Sequence, residues 1–412
     1  MYDLISLGKK AKNVSGYIRR LGASDKDALL RSCADSLEAN AEYILAENAK
    51  DMAAADPARA AFNDRLRLDT QRIEGLAQGI RKVAGQSDPT GETLYMKTMP
   101  SGLKIGEKRV PIGVVGMIYE ARPNVTTDSF ALCFKAGNAC ILRGSREAIH
   151  SNIALVKIIQ DEAERLGHPR EILQLVEDTS REVATEFMRL NKYIDVLIPR
   201  GGAGLIASAV EHSTIPVIET GTGNCHIFVD ESADLKKAVD IILNAKTQRP
   251  SVCNACEKLL IHEKIADEFL PNICGALYGA GVEIRGDEPT CAAFSQAKSA
   301  TDDDWYTEFL DMVIGVKVVT DMDAAISHIS EHSSGHTEAI LTESYTNAHD
   351  FVNLVDAAAV FVNASTRFTD GEEFGLGAEV GISTQKLHAR GPMGLTALTT
   401  TKFFIFGNGQ IR

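Results

Sequence analysis

Apolar positions near the start of the chain recur at helical spacing. Leu30, Cys33, Leu37, Ala41 and Ile44 fall on one face, and Ser24 with Asp27 three residues on reads as a capping signal with Asp in place of the usual Glu or Gln. The first ninety residues are therefore expected to be helical. From about Leu103 the texture changes: Leu103 to Val110 alternates like an exposed strand, and Gly113 to Ile118 reads as a buried one. Next come a helical pattern over Ser129 to Ala136, a strand over Ala139 to Leu142, a helix over Asn152 to Leu166 and a strand over Glu171 to Leu175. A helix from Arg181 to Leu190 and a strand over Val196 to Ile198 complete this series. A second series runs helix Leu235 to Ala245, strand Lys258 to Ile261, helix Ile265 to Leu277, strand Val316 to Val319, helix Met322 to Ile329 and strand Ala339 to Leu341. Buried strands alternating with helices predict parallel sheets in two α/β lobes. The tail, Thr396 to Phe406, is rich in β-branched and aromatic residues and reads as a strand. An apolar strand at a chain end is an edge that wants a partner, which predicts a homo-oligomer.

Composition narrows the class. A chain of 412 residues is long enough for two cores, and 44% hydrophobic with 24% charged residues is ordinary for a globular enzyme. A net charge of −13 argues against nucleic-acid binding, which needs a basic face, but leaves room for local basic pockets that take small anions. The opening stretch Met1 to Lys10 turns polar too soon for a secretory signal, and no apolar run approaches a membrane span. Eight cysteines are too sparse for a disulfide scaffold, so the expected compartment is a reducing cytoplasm.

Several segments carry chemistry. In Gln248-Arg249-Pro250-Ser251-Val252-Cys253-Asn254-Ala255-Cys256-Glu257-Lys258 a cysteine sits in a polar turn before an apolar run, with Arg249 or Lys258 as nearby positive charge, a setting for a thiolate nucleophile. The alternatives are half of a zinc site through Cys253 and Cys256, a thioredoxin-like pair, or a core cysteine. No second CxxC exists, Cys274 and Cys291 have the wrong spacing, and His262 is isolated. Strand Val196 to Ile198 runs into Arg200-Gly201-Gly202-Ala203-Gly204 and a helical pattern, so Gly202-x-Gly204-x-x-Ala207 fits a loose dinucleotide fingerprint with Glu219 as the later acidic residue, or else a plain tight turn. Asn124, in Glu120-Ala121-Arg122-Pro123-Asn124, is a candidate oxyanion donor after a strand, against the reading of a Pro-Asn turn. Arg143-Gly144-Ser145-Arg146 could clamp a ribose 2′-phosphate, favouring NADP over NAD, or be a solvated loop. Glu219, ending the apolar strand Val217-Ile218, could be a general base or simply bond glycine amides.

Taken in order along the chain, these signals resemble the aldehyde dehydrogenase superfamily, and within it the branch that reduces an acyl phosphate of glutamate. The segments that carry the likeness are Tyr119 to Thr126, Ile198 to Gly202, Glu219 to His226, Gln248 to Asn254, His336 to Ile340 and His388 to Leu395. The resemblance implies an α/β fold with a Rossmann-like cofactor domain, an α/β catalytic domain and a small β oligomerisation element. The corresponding boundaries are 1–225 for the NADP-binding domain with oligomerisation strands about 97–111 inserted, 226–390 for the catalytic domain, and 391–412 for the oligomerisation strand. That strand would pair with the one near Leu103 across subunits. Carried over by residue, Cys253 is the nucleophile, five positions before Lys258, and Cys256 is a bystander. Asn124 falls at the oxyanion asparagine, with a shorter spacing to Gly137-Asn138 than typical members have. Glu219 falls at the glutamate that activates water in aldehyde oxidation. The implied cofactor-binding residues are Arg143, in place of the usual lysine, with Ser145, Gly201, Gly202 and Glu308. Arg122, Arg249 and Arg390 are candidate partners for the anionic ends of the substrate. The implied reaction is NADPH-dependent reduction of L-glutamyl 5-phosphate to L-glutamate 5-semialdehyde, the second step of proline biosynthesis from glutamate, with glutamate 5-kinase as a possible associate. A coenzyme A-dependent member of the superfamily, a silent nucleotide-binding homologue and a zinc-stabilised module are the competing readings.

Overall fold

A computed structural model describes residues 3–412, so Met1 and Tyr2 at the head of the polar opening stretch lie outside it. By internal contacts the chain forms two units. One runs up to Thr220 and takes in Gly375–Gly381 and Met393–Arg412; the other comprises Gly221–Phe374 and Ile382–Pro392.

The first unit opens with helices Leu4–Ile18, Ala23–Ala39, Ala41–Ala53, Ala60–Leu66 and Thr70–Ala84. Leu30, Cys33, Leu37 and Ile44 are fully buried, as their spacing requires. The cap lies elsewhere than Ser24. The second helix starts after Gly22, whose N–H donates to the Asp25 carboxylate at 3.3 Å, while Asp27 pairs with the ammonium of Lys135. A buried lysine needs a counter-charge more than the helix needs a second cap, and that claims Asp27.

Strands β1 (Thr93–Thr98) and β2 (Lys104–Pro111) lead into β3 (Val114–Tyr119), β4 (Ala139–Arg143), β5 (Leu173–Leu175) and β6 (Val196–Arg200). The last four form a parallel sheet in the order β5-β4-β3-β6. The chain steps outward from β3 to β5, then crosses back to place β6 on the other side of β3. The point between β3 and β6 is where such sheets bind ligands, at the strands' carboxyl ends. Two expectations shift here. The helix foreseen from Ser129 begins at Pro123, because proline at a first helical position loses no hydrogen bond; Pro123-Asn124 is therefore a helix start and not a free-standing turn. Val217-Ile218 is no strand: it makes one bridge, Val217 with Leu197, since Pro216 has no N–H to extend the ladder.

In the second unit β7 (Cys225–Val229), β8 (Cys256–His262), β9 (Glu283–Gly286), β10 (Lys298–Ser299), β11 (Val313–Val319), β12 (Thr337–Leu341) and β13 (Ala359–Val362) make a parallel sheet ordered β10-β9-β11-β8-β7-β12-β13. Helices Leu235–Thr247 and Glu263–Gly279 cover one hydrophobic cluster, with Ile242, Phe269, Ile273 and Leu277 packed on Leu259 and Ile261; Met322–His332 and Tyr345–Leu354 contribute Ile329 and Phe351 to another, around Leu260. A two-stranded pair, β14 (Ile382–Ser383) and β15 (Gly391–Pro392), completes the unit.

The tail strand β16 (Thr399–Phe406) corrects the expectation of pairing across subunits. It lies antiparallel on β2 of its own chain, from Thr399 opposite Pro111 to Phe406 opposite Lys104, in a sheet ordered β1-β2-β16. The Phe404 ring occupies the space that Gly106 leaves by having no Cβ, which fixes the register within the chain.

Candidate active site

In the second unit the cysteine segment lies where helix Leu235–Thr247 has ended and buried β8 has not begun. Cys253 is half-buried, whereas Cys256 faces the core, its thiol donating to the Lys258 carbonyl at 3.3 Å. The 220s wrap the turn closely. The Cys225 thiol donates to the carbonyl of Cys253 at 3.1 Å, and a Cβ on Gly223 would stand 2.7 Å from the Cys253 Cα. From the other side Asn254 Nδ2 donates to the Thr369 carbonyl at 2.9 Å and to that of Arg367 at 3.3 Å. The Arg367 guanidinium answers by donating to Asn254 Oδ1 and, at 2.9 Å, to Gln248 Oε1. Arg367 was not among the residues the sequence singled out. It lies 113 positions from Asn254, and no local pattern announces it.

Of the two basic residues expected near the thiol, Arg249 is exposed on the turn. Lys258 is fully buried, donating to the Thr307 carbonyl at 2.8 Å with its ammonium 4.3 Å from the Phe309 ring centre. Its neighbour Glu257 is also buried; it accepts from the Phe309 N–H at 3.1 Å and pairs with Lys246 at 3.2 Å. Burial pushes the Glu257 carboxyl up and the Lys258 ammonium down, with the neighbouring opposite charges working against both shifts. These two residues thus hold the backbone on either side of Glu308. Glu308 itself accepts the Gly223 N–H at 2.7 Å, and Leu310 beside it has φ +52°, a conformation unusual for a branched side chain. The arrangement ties Glu308 to the glycine that packs on Cys253. Arg390 is ion-paired with Asp356 at 2.6 Å.

In the first unit the candidates cluster at the carboxyl ends of β3, β4 and β6. Asn124 is exposed on the first turn of its helix, and its Nδ2 donates to Asp128 at 3.0 Å. Burial raises the Asp128 carboxyl to about 6, against the bond from Asn124 and the charge of Arg200. Arg122 is the half-buried residue just before that helix. Arg143 ends β4 and donates to the carbonyls of Thr179 and Ser180 at 2.7 and 3.1 Å; burial first lowers its pKa, partly offset by Asp178 and Glu147. Among the described residues its Nε and the buried Oγ of Ser145 have no hydrogen-bond partner. Two orphaned buried polar atoms at a strand end fit a ligand bearing hydroxyl or phosphate oxygens.

Strand β6, the Gly201-Gly202 turn and helix Ala203–His212 have the strand-turn-helix context of a phosphate loop. A Cβ on Gly201 would stand 2.7 Å from the Glu120 carboxyl carbon, so a side chain there would push Glu120 aside; Gly204 faces open space. The Gly202 N–H donates to Glu120 Oε2 at 3.1 Å. A carboxylate therefore holds the amide that a phosphate would take, a feature the fingerprint by itself does not reveal. Glu219 is half-buried two residues after the Val217 bridge.

Parallel α/β units carrying these residues in this order are the frame of the aldehyde dehydrogenases. The model of the aldehyde dehydrogenase family matches residues 3–288, and the chain belongs to that family. It is 57% identical to a gamma-glutamyl phosphate reductase of Clostridium botulinum over 414 residues, covering all of both chains, and 56% identical to one of Carboxydothermus hydrogenoformans with the same coverage. The crystal structure of the gamma-glutamyl phosphate reductase of Thermotoga maritima superposes with a TM-score of 0.97 at 48% identity, covering 100% of each chain. Within the family the chain stands among the gamma-glutamyl phosphate reductases, and it is an oxidoreductase.

Proposed function

We propose that this chain reduces L-glutamyl 5-phosphate to L-glutamate 5-semialdehyde and phosphate with NADPH, through a thioester on Cys253, as the second step of proline biosynthesis from glutamate. What supports the reading is the Cys253 turn, clasped by Gly223, Cys225 and Arg367, in a chain more than half identical over full length to reductases named for that substrate. The first unit is the cofactor-binding body and the second the catalytic body. The sheet β1-β2-β16 exposes Tyr95, Met96, Phe403, Ile405 and Phe406, and its apolar surface supports a homo-oligomer.

The Cys253 thiolate attacks the acyl carbon. The bond from that carbon to the phosphoryl oxygen breaks, phosphate leaves with the electron pair, and a thioester remains. Asn124 and the Cys253 backbone N–H are the proposed donors to the oxyanion, one such donor stabilising the transition state by about 3–4 kcal/mol. Arg143 and Ser145 hold the cofactor through their unpartnered atoms, and Gly201-Gly202 accepts its phosphate once Glu120 moves aside. Glu308 holds the nicotinamide ribose. When bound, the reduced nicotinamide supplies the hydride that takes the thioester to the thiohemiacetal level. Breaking the C–S bond then returns the thiolate and frees the aldehyde. Glu219 must not activate water while the thioester stands, or glutamate is released.

The test is NADP-dependent oxidation of glutamate 5-semialdehyde, with and without inorganic phosphate, by the wild type and Cys253→Ser. Activity that requires phosphate and disappears in the variant is expected. Activity without phosphate would mean a hydrolytic enzyme with Glu219 as base, and an unaffected variant would remove the thioester.

A further inference from the structure

Arg367 lies on a short turn, Thr366–Phe368, and its guanidinium spans the segment that carries Cys253, with Nε on Gln248 at one end and Nη1 on Asn254 at the other. Arg249 stands between those two positions in sequence and is close enough that its charge opposes protonation of Arg367. After burial this repulsion is the chief influence on Arg367; Asp370 and the thiols of Cys253 and Cys225 act the other way. Among the described residues neither guanidinium has a carboxylate within ion-pair distance, and no hydrogen bond engages Nη2 of Arg367. Other arginines of the chain are neutralised: Arg81 by Asp35 and Glu38, Arg285 by Glu283 and Asp304, Arg390 by Asp356. Two cations held together with no carboxylate in ion-pair contact, and only the more distant charge of Asp370 against them, favour an anion that joins them. The C-terminal end of helix Leu235–Thr247 lies just before Arg249 and offers about half a negative charge, well short of the two positive charges of the pair.

We propose that Arg367 and Arg249 form the subsite for the phosphoryl group of the acyl phosphate, beside Cys253. This rests on the reaction proposed above and deepens it. The substrate has two anionic ends. Its phosphoryl oxygen is bonded to the carbon that Cys253 attacks, whereas the α-carboxylate is separated from that carbon by three others. A dianion also suits two guanidinium groups better than a monoanion does. As the carbon–oxygen bond breaks, negative charge grows on the departing phosphate, and cations placed there act on the transition state.

The experiment measures KM for phosphate and for glutamate 5-semialdehyde in the oxidative direction for the wild type, Arg367→Met, Arg367→Lys and Arg249→Met. In parallel, the rate of Cys253 alkylation by iodoacetamide is followed with and without inorganic phosphate. The expected result is a phosphate KM raised tenfold or more in Arg367→Met, partly restored in Arg367→Lys, with the semialdehyde KM changed less than twofold. Phosphate slows alkylation of the wild type and not of Arg367→Met. If the Arg367 variants lose the turn, Arg249→Met decides, since its side chain makes no bond to the segment: its phosphate KM must rise. A raised semialdehyde KM with an unmoved phosphate KM assigns the pair to the α-carboxylate and overturns the proposal, as does phosphate protection that survives both methionine variants. A wild type with no need for phosphate sinks the proposed reaction instead, and protection from alkylation still decides the subsite.

Discussion

A methyl group on Gly223 would overlap the peptide carbonyl of Cys253, so Gly223→Ala has to displace the nucleophile. A displacement of about 1 Å at a reacting atom costs on the order of 100-fold, and we expect kcat to fall by about that factor, with the overlap also costing about 1–3 kcal/mol of stability in urea titration. Gly275→Ala, on an exposed helical position with nothing near its Cβ, should leave kcat alone and stabilise the protein by about 0.5–1 kcal/mol in urea titration. At Glu120 the expectation runs toward tighter binding. Glu120→Gln removes the negative charge on the Gly202 amide, and NADP should bind about fivefold more tightly by fluorescence titration. An unchanged dissociation constant would mean that the glycine turn does not receive the cofactor phosphate. Cys253, Glu219 and the double glycine are legible in the sequence because each stands in a short, chemically marked segment. Arg367 and the grip of Glu120 are not, because both arise from folding distant stretches together.

Strand β8 shows the same division one scale up. The pattern predicts a strand from Lys258 to Ile261, yet the strand starts at Cys256 and carries Glu257 as well as Lys258 fully buried at its head. Charges at those positions read as the end of a strand until their partners are known: Lys246 on a helix, and Thr307 and Phe309 on the approach to β11. Removing one member of a buried pair leaves an uncompensated charge, so Lys246→Met should cost about 3–5 kcal/mol in urea-induced unfolding. The double variant Lys246→Met with Glu257→Leu should recover much of that loss in stability, while still releasing the Phe309 N–H and lowering activity through Glu308.

For the molecule as a whole, the pH dependence of stability carries the mark of its buried carboxyls, of which Glu338 is raised further than Asp128 or Glu257. Glu338, on β12, accepts the His226 N–H at 2.8 Å and a bond from Ser333, yet burial raises it to about 8. A folded value above the unfolded one means the group binds its proton more tightly in the native state. Its contribution is complete below the unfolded value near 4.5 and is lost as pH rises through about 8. Between pH 5 and 8 the wild type should therefore lose stability relative to Glu338→Gln, by at most about 1.4 kcal/mol per pH unit. Parallel curves for the two proteins across that range would refute the assignment.

Two α/β lobes, the helical opening and the turn that presents Cys253 follow from the chain's own pattern, because period, burial and turn chemistry are local properties. The family likeness follows as well, since it rests on short segments in a fixed order. The partner of β16 was decided by tertiary structure: an edge strand's apolar face asks for a neighbour without saying which chain supplies it, and β2 supplies it here. So were the carboxylate on the Gly202 amide and the guanidinium that spans the cysteine turn. Charge and hydrogen bonding act through space, between residues that the sequence holds far apart.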